Sequence, residues 1–304
     1  MSIFQAVILG IVQGLTEFIP ISSTAHLIFA SRALELYGSQ ADAVLRAQQT
    51  TATIAVIQLG TLLAVLIYFA GDIWNISRAF VLDHLALLRG KRSAAAIETA
   101  RATGRPARLS KDAWLGWLVI IGSLPIGVVG LVFKKQIEGT FTKNLWVIAT
   151  MMIVVAVFLI IAEAVGRRER TIADLGVRDA LAVGGAQVLS LIPGASRSGS
   201  TIMGGLFAGE TRETAARFSF LLSIPAIAAS GLLELKEAFE HLPQESYAAL
   251  AVATVVSGVV GYLSIWFLLR YLRTHSTAVF IGYRLIVGAA ILILLYANVI
   301  SPNS

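Results

Sequence analysis

Two short stretches hold most of the groups that could do chemistry. "EFIPISSTAH", residues 17–26, crowds a carboxylate, two serines, a threonine and a histidine around Pro20. "PGASRSGST", residues 193–201, sets Arg197 among Ser196, Ser198, Ser200, Thr201 and two glycines. Gln13 and Glu17 are four apart and share one face of a first short helix. Pro20 ends that helix, and Ser22 or Ser23 can cap the next. His26 follows Ser23 by one turn, so hydroxyl and imidazole can point the same way. In the second stretch, Gly194 and Gly199 permit tight backbone turns. Hydroxyls and amides at the start of a helix bind phosphate and other anions, and a guanidinium forks onto phosphate oxygens. Arg284, inside the apolar "FIGYRLIVGAA", must face the protein interior and an anionic partner, which is Glu17, a structural acid or a substrate.

Each group alone has a plain structural use: an interfacial glutamate, a capping serine, a histidine bonded to a carbonyl. Their combination around two helix breaks points further. An arginine-bearing anion cradle, an opposed Ser23/His26 pair and a carboxylate beside an amide suit a phosphate substrate. Glu17 with Gln13 could hold Mg²⁺ or Ca²⁺ through oxygens, with substrate phosphates completing the shell. A nucleophile beside a base, with positive charge to spread the developing negative charge, is equipment for phosphoryl transfer. Nothing resembles a nucleotide-binding P-loop.

The elements that must position these groups lie in lipid. Of the 304 residues, 57% are hydrophobic and 14% charged, against about a quarter charged in soluble domains. Apolar runs near 51–70, 113–133, 145–165, 213–235, 247–269 and 277–297 approach the ~20 residues that cross a bilayer. With no cysteine, disulfides, iron–sulfur clusters and thiolate zinc sites are excluded. The four histidines have no metal-ligand spacing, and no signal peptide is evident. The net charge of +6 reflects basic loops rather than nucleic-acid binding: residues 71–112 alone hold eight lysines and arginines. Lysine and arginine mark the cytoplasmic side. That rule turns 71–112 and 167–178 inward and 134–144 and 236–246 outward. Residues 1–38 and 180–211 then start and finish on one face each, as re-entrant hairpins from opposite sides. The expected fold is a single all-α, polytopic membrane domain of two inverted repeats, 1–166 and 167–304. Each repeat is a hairpin plus three transmembrane helices, with the two breaks facing each other at the midplane. Gln13 before "IPISST" and Gln187 before "IPGASRSGST" mark the relation. The basic "SAAAIETARATGRPARLSK" reads as flexible and carries no assigned chemistry.

"QGLTEFIPISSTAH", "PGASRSGST", "FSFLLSIP" and "YRLIVG" resemble the bacterial undecaprenyl-pyrophosphate phosphatases of the bacitracin-resistance type, over nearly the whole chain. The resemblance implies removal of the terminal phosphate of the C55 prenyl diphosphate, returning carrier lipid to cell-wall synthesis. It also implies a divalent cation (Mg²⁺ or Ca²⁺) and a plasma-membrane site opening to the outer face. By position, Glu17 and His26 match the family's motif glutamate and histidine. Ser23 matches the favoured nucleophile, and Ser196, Arg197 and Thr201 the phosphate-binding break. Gln13 stands where many relatives have glutamate, so this chain offers one carboxylate fewer to a metal.

The expected mechanism is attack by Ser23 on the terminal phosphorus, with His26 or Glu17 as base. Arg197 and the amides near Ser198 to Thr201 steady the charge. Attack by His26 or directly by water stays open. The rival is a transporter for a lipid phosphate, built from the same broken helices but with little use for Ser23 and His26 together. Membrane lipids are the other expected partners; a homodimer is permitted and not required.

Overall fold

A computed structural model describes residues 1–36, 43–103, 107–133, 144–242 and 244–302, and among them the chain is all-helical, with twelve α-helices and no strand. The first two are short: α1 (Ile3–Phe18) and α2 (Ser23–Ala33). A capping box at Ser2 and Gln5 starts α1. Pro20 stops it, because the residue before a proline is driven out of the helical region; Ile19 is extended at ψ 134°. Then come α3 (Ala43–Tyr68), α4 (Ala70–Leu88), α5 (Ala94–Thr103), α6 (Lys111–Val132) and α7 (Leu145–Val165). A second short pair follows, α8 (Val177–Val188) and α9 (Arg197–Phe207). The chain finishes with α10 (Arg212–His241), α11 (Tyr247–Leu272) and α12 (Ala278–Tyr296).

Five helical stretches are long and apolar enough to cross a bilayer: Gln49–Tyr68, Lys111–Val132, Leu145–Val165, Tyr247–Leu272 and Ala278–Tyr296. They coincide with five of the six expected spans, and their outward faces carry large apolar side chains such as Ile67, Leu131 and Ile286. The chain is a multi-pass membrane protein. The sixth expected span, 213–235, falls on α10, which continues through Pro225; some of its side chains lie outside the described residues. So do residues 37–38 of the first expected hairpin and most of the 134–144 loop.

Packing crosses the chain's two halves. Helix α1 lies against α11 from the far half, and α8 lies against α6 from the near half. Helices α3 and α10 pack together, as do α7 and α12. Small residues permit the close crossings, as is common where lipid gives helices no hydrophobic reason to associate. A Cβ on Gly14 would meet Ser257 O at 2.8 Å, and one on Gly184 would meet Gly122 O at 2.1 Å. Beneath the end of α1, Phe18 packs edge-on against Phe220 at 5.3 Å, within a core that includes Phe69, Leu159, Ile202 and Leu268.

The segment expected to be flexible is partly helix. Ser93 caps α5 by accepting the Ala96 amide at 3.0 Å, and the alanine-rich run behind it has high helix propensity. The buried Asp83 accepts hydrogen bonds from the Ser93 hydroxyl and, at 2.6 Å, from the Ser110 amide. The basic stretch is thereby tied to α4 and to the start of α6. At the opposite end of α7 from Leu145, Glu163 accepts from Arg168, Arg212 and Thr277, joining α7, α10 and α12.

Candidate active site

The two helix breaks meet. Ser22 and Ser196, the N-cap residues of α2 and α9, both hold positive φ: 78° and 69°. A non-glycine residue there is strained by roughly 1–3 kcal/mol and persists only where its surroundings fix it. Arg284 is much of that surrounding. It is wholly buried and donates through Nη1 to Pro20 O at 3.3 Å, and through Nη2 to Gly194 O at 3.0 Å and Ala195 O at 3.1 Å. Its Nε donates to Met152 O, also at 3.1 Å. One guanidinium therefore braces both breaks onto α7. Gly199 leaves room for it: a Cβ there would lie 3.3 Å from Arg284 Nη1. The partner sought for Arg284 is a ring of backbone carbonyls.

Arg197, the first residue of α9, reaches across to the other break. Its Nη2 lies 3.3 Å from Glu17 Oε1, while its Nη1 is buried with no hydrogen-bond partner. Glu17 is buried at 8% exposure and is otherwise surrounded by amides. Gln13 Nε2 donates to its Oε2 at 3.1 Å and Gln58 Nε2 to its Oε1 at 3.4 Å. Gln58 and Thr61, which lies 3.4 Å from Gln13 Nε2, come from α3. Both belong to the cluster.

The expected Ser23–His26 pair is not hydrogen-bonded. His26 Nδ1 sits 2.7 Å from Ser22 O, and Nε2 sits 2.6 Å from the hydroxyl of Tyr283. Ser23 is half-buried at the first position of α2. In the second break, Ser196 Oγ accepts the Gly199 amide at 3.2 Å and lies 3.2 Å from Ser198 Oγ. Both are capping and turn contacts at the head of α9. The Thr201 hydroxyl faces away from the break: it donates to Arg197 O at 2.7 Å and contacts Ser219 on α10. Thr201 thus ties α9 to α10. Several buried polar atoms have no partner: Ser22 Oγ, Ser200 Oγ, Gln13 Oε1 and both side-chain atoms of Gln187. Buried polar atoms are normally satisfied, so these unpartnered groups on the two short helix pairs are exceptions that a bound polar ligand or water would remove.

The site offers few protein ligands to a resident divalent cation. Ca²⁺ takes six to eight oxygens, whereas Mg²⁺ keeps several waters and binds through one or two carboxylates plus substrate phosphates. Glu17 is the sole carboxylate of the cluster; two amide groups already donate to it, and Arg197 is ion-paired with it at 3.3 Å. Among the described residues no group of three or more His, Asp or Glu could hold a metal ion. Gln13 Oε1, buried and unpartnered, is one further oxygen.

Relatives share the whole of this arrangement's length. The chain is 49% identical over 299 residues to the undecaprenyl-diphosphatase of Syntrophobacter fumaroxidans, covering 98% of this chain and 99% of that protein. It is 46% identical to the protein of the same name from Mycolicibacterium vanbaalenii, over 99% of both chains. Against that of Chlorobaculum tepidum it is 43% identical, over 99% of this chain and 100% of the other. The profile of the bacitracin resistance protein BacA family matches residues 6–290, a range that holds both breaks, Arg284 and every helix between them. The chain belongs to the BacA family.

Proposed function

We propose that this chain is a membrane phosphatase that removes the terminal phosphate of undecaprenyl diphosphate. The observation that carries the reading is Arg197, which pairs with Glu17 through one nitrogen and holds the other buried and unpartnered between the two breaks. A terminal phosphoryl group supplies the missing acceptors: two of its oxygens match the fork of the guanidinium, and the first amides of α9 add further donors. Phosphate binding draws Arg197 from Glu17 and frees a carboxylate to take the proton of Ser23. The Ser23 oxygen bonds to the terminal phosphorus as the bond to the bridging oxygen breaks, and the prenyl monophosphate leaves with that oxygen. Water then cleaves the phosphoserine, releasing inorganic phosphate and restoring the hydroxyl. Arg197 and the amides, already positioned before substrate binds, stabilise the charge that develops on the phosphoryl oxygens.

The finer architecture belongs to the same proposal. Short α1–α2 and α8–α9 are re-entrant hairpins of two inverted repeats. The crossed packing of α1 on α11 and α8 on α6, and the matched positive-φ serines, support this. The basic ends face the cytoplasm of a bacterial plasma membrane, and the site opens to the other face. A divalent cation, if required, arrives with the diphosphate, whose oxygens supply most of its ligands.

Release of phosphate from a C55 or C15 prenyl diphosphate by the purified protein in detergent, with and without Mg²⁺ or Ca²⁺, tests the reading. Turnover that Arg197→Ala reduces by 10²-fold or more is expected from loss of one charge-stabilising donor group. Binding of the lipid diphosphate with no release of phosphate would favour the transporter instead.

A further inference from the structure

We infer that Tyr283 and His26 are a positioning pair that fixes the turn at Ser22, and through it the nucleophile Ser23, and that His26 is not the base. The inference deepens the phosphatase reading and rests on it. Both ring nitrogens of His26 are committed to protein. Ser22 O can only accept, so at 2.7 Å the facing Nδ1 carries the hydrogen. The neutral ring then has its lone pair at Nε2, and the Tyr283 hydroxyl donates to it across 2.6 Å. The two rings lie nearly parallel, 16° apart in plane. Nothing on the imidazole is left for Ser23 or for a phosphate.

The second break shows what the pair replaces. There, Ser196 O accepts a backbone amide, that of Ser200 at 2.9 Å, and Ser196 Oγ caps Gly199. The Ser22 hydroxyl makes no such cap and is buried without a partner. Its positive-φ turn is held from outside instead. Tyr283 and Arg284 are consecutive residues of α12. Arg284 donates to Pro20 O, while Tyr283 steadies the ring that donates to Ser22 O. The carbonyls on either side of Ile21 are thus gripped from a single turn of one helix. Ser23 follows Ser22 directly, so the angle of this turn sets where its hydroxyl points.

Steady-state phosphate release by variants in detergent, each checked by thermal melting, separates positioning from acid–base chemistry. His26→Ala is expected to lower kcat on the order of a hundredfold, as misplacement of a reacting group by about 1 Å can. His26→Asn keeps a donor amide where Nδ1 stood but has no basic nitrogen, and is expected to retain kcat within about tenfold of wild type. Glycine takes positive φ without strain. In a Ser22→Gly background, removal of His26 should therefore cost at least tenfold less than in the parent. Tyr283→Phe should lower kcat several-fold with KM unchanged. If His26→Asn is as inactive as His26→Ala and Ser22→Gly gives no relief, His26 is an acid–base group and the assignment is wrong. Should His26→Ala fail to fold, His26→Asn and Tyr283→Phe still decide. Wild-type protein that releases no phosphate would instead sink the underlying phosphatase reading.

Discussion

At the scale of residues, the proposed site rests on one guanidinium left half-satisfied. Arg197 neutralises Glu17 while holding a buried nitrogen ready for a second anion. Arg197→Lys keeps the charge but loses the planar fork, and a fork-held phosphate requires geometry as well as charge. It should retain little more phosphatase activity than Arg197→Ala; near-normal kcat/KM in the lysine variant would show that a point charge suffices. Glu17→Gln removes the proton acceptor while keeping the shape, and kcat should fall on the order of 10²–10⁴-fold with lipid diphosphate binding retained. Glu17, Ser23 and Arg197 were legible in the sequence because costly polar groups inside apolar runs require a reason. Gln58 and Tyr283 were not, since each joins the site from a helix distant in sequence, and its type is unremarkable until that helix is placed. For Arg284 and Thr201, local spacing does not show the partners that the fold supplies, backbone carbonyls for the first and Arg197 O and Ser219 for the second.

At the scale of elements, the breaks are strained turns held by remote contacts. Replacing Arg284 by leucine leaves buried carbonyls at Pro20, Gly194 and Ala195 without their donor. Each such loss costs about 1–3 kcal/mol, so a sharply lowered melting temperature in detergent is expected. Arg284→Leu melting as wild type does would mean that the breaks hold themselves. The loop joining α9 to α10 yields a pH effect. Glu210 is fully buried with both carboxylate oxygens unpartnered, and burial, reinforced by nearby Asp179 and partly offset by Arg170, pushes its pKa up to about 8. The folded chain thus keeps this proton at pH values where the unfolded chain has released it. Its stabilising effect is complete below about pH 4 and is lost as pH rises toward 8. Glu210→Gln should melt like wild type at pH 5 and on the order of 5 °C higher above pH 8; an equal gap at both pH values would refute this. The long spans and both breaks could be read from hydropathy and from proline and glycine placement. Helix α5 was missed because charge and the Gly104–Pro106 segment outweighed its alanine run and serine cap in the reading.

At the scale of the whole molecule, the two halves complete each other: Glu17 and Ser23 come from the first and Arg197 and Arg284 from the second. The inverted-repeat proposal places the two ends of α12 on opposite sides of the membrane. Because the chain has no cysteine, single substitutions give clean labels. A membrane-impermeant maleimide should reach Asn298→Cys from outside intact cells, and His275→Cys only after permeabilisation. The opposite pattern would invert the topology. The expected orientation rests on charge distribution alone. The juxtaposition of the breaks rested on pattern, and the crossed packing of α1 on α11 and α8 on α6 needed coordinates. The central claim, that both breaks build one phosphoryl-transfer site, is tested most directly by kcat for phosphate release in a double-mutant cycle of Ser23→Ala and Arg197→Ala. Residues acting as one unit are strongly non-additive, so the double variant should be little worse than the poorer single one. Losses that multiply in full would mean that the two residues act independently, and would contradict a shared site.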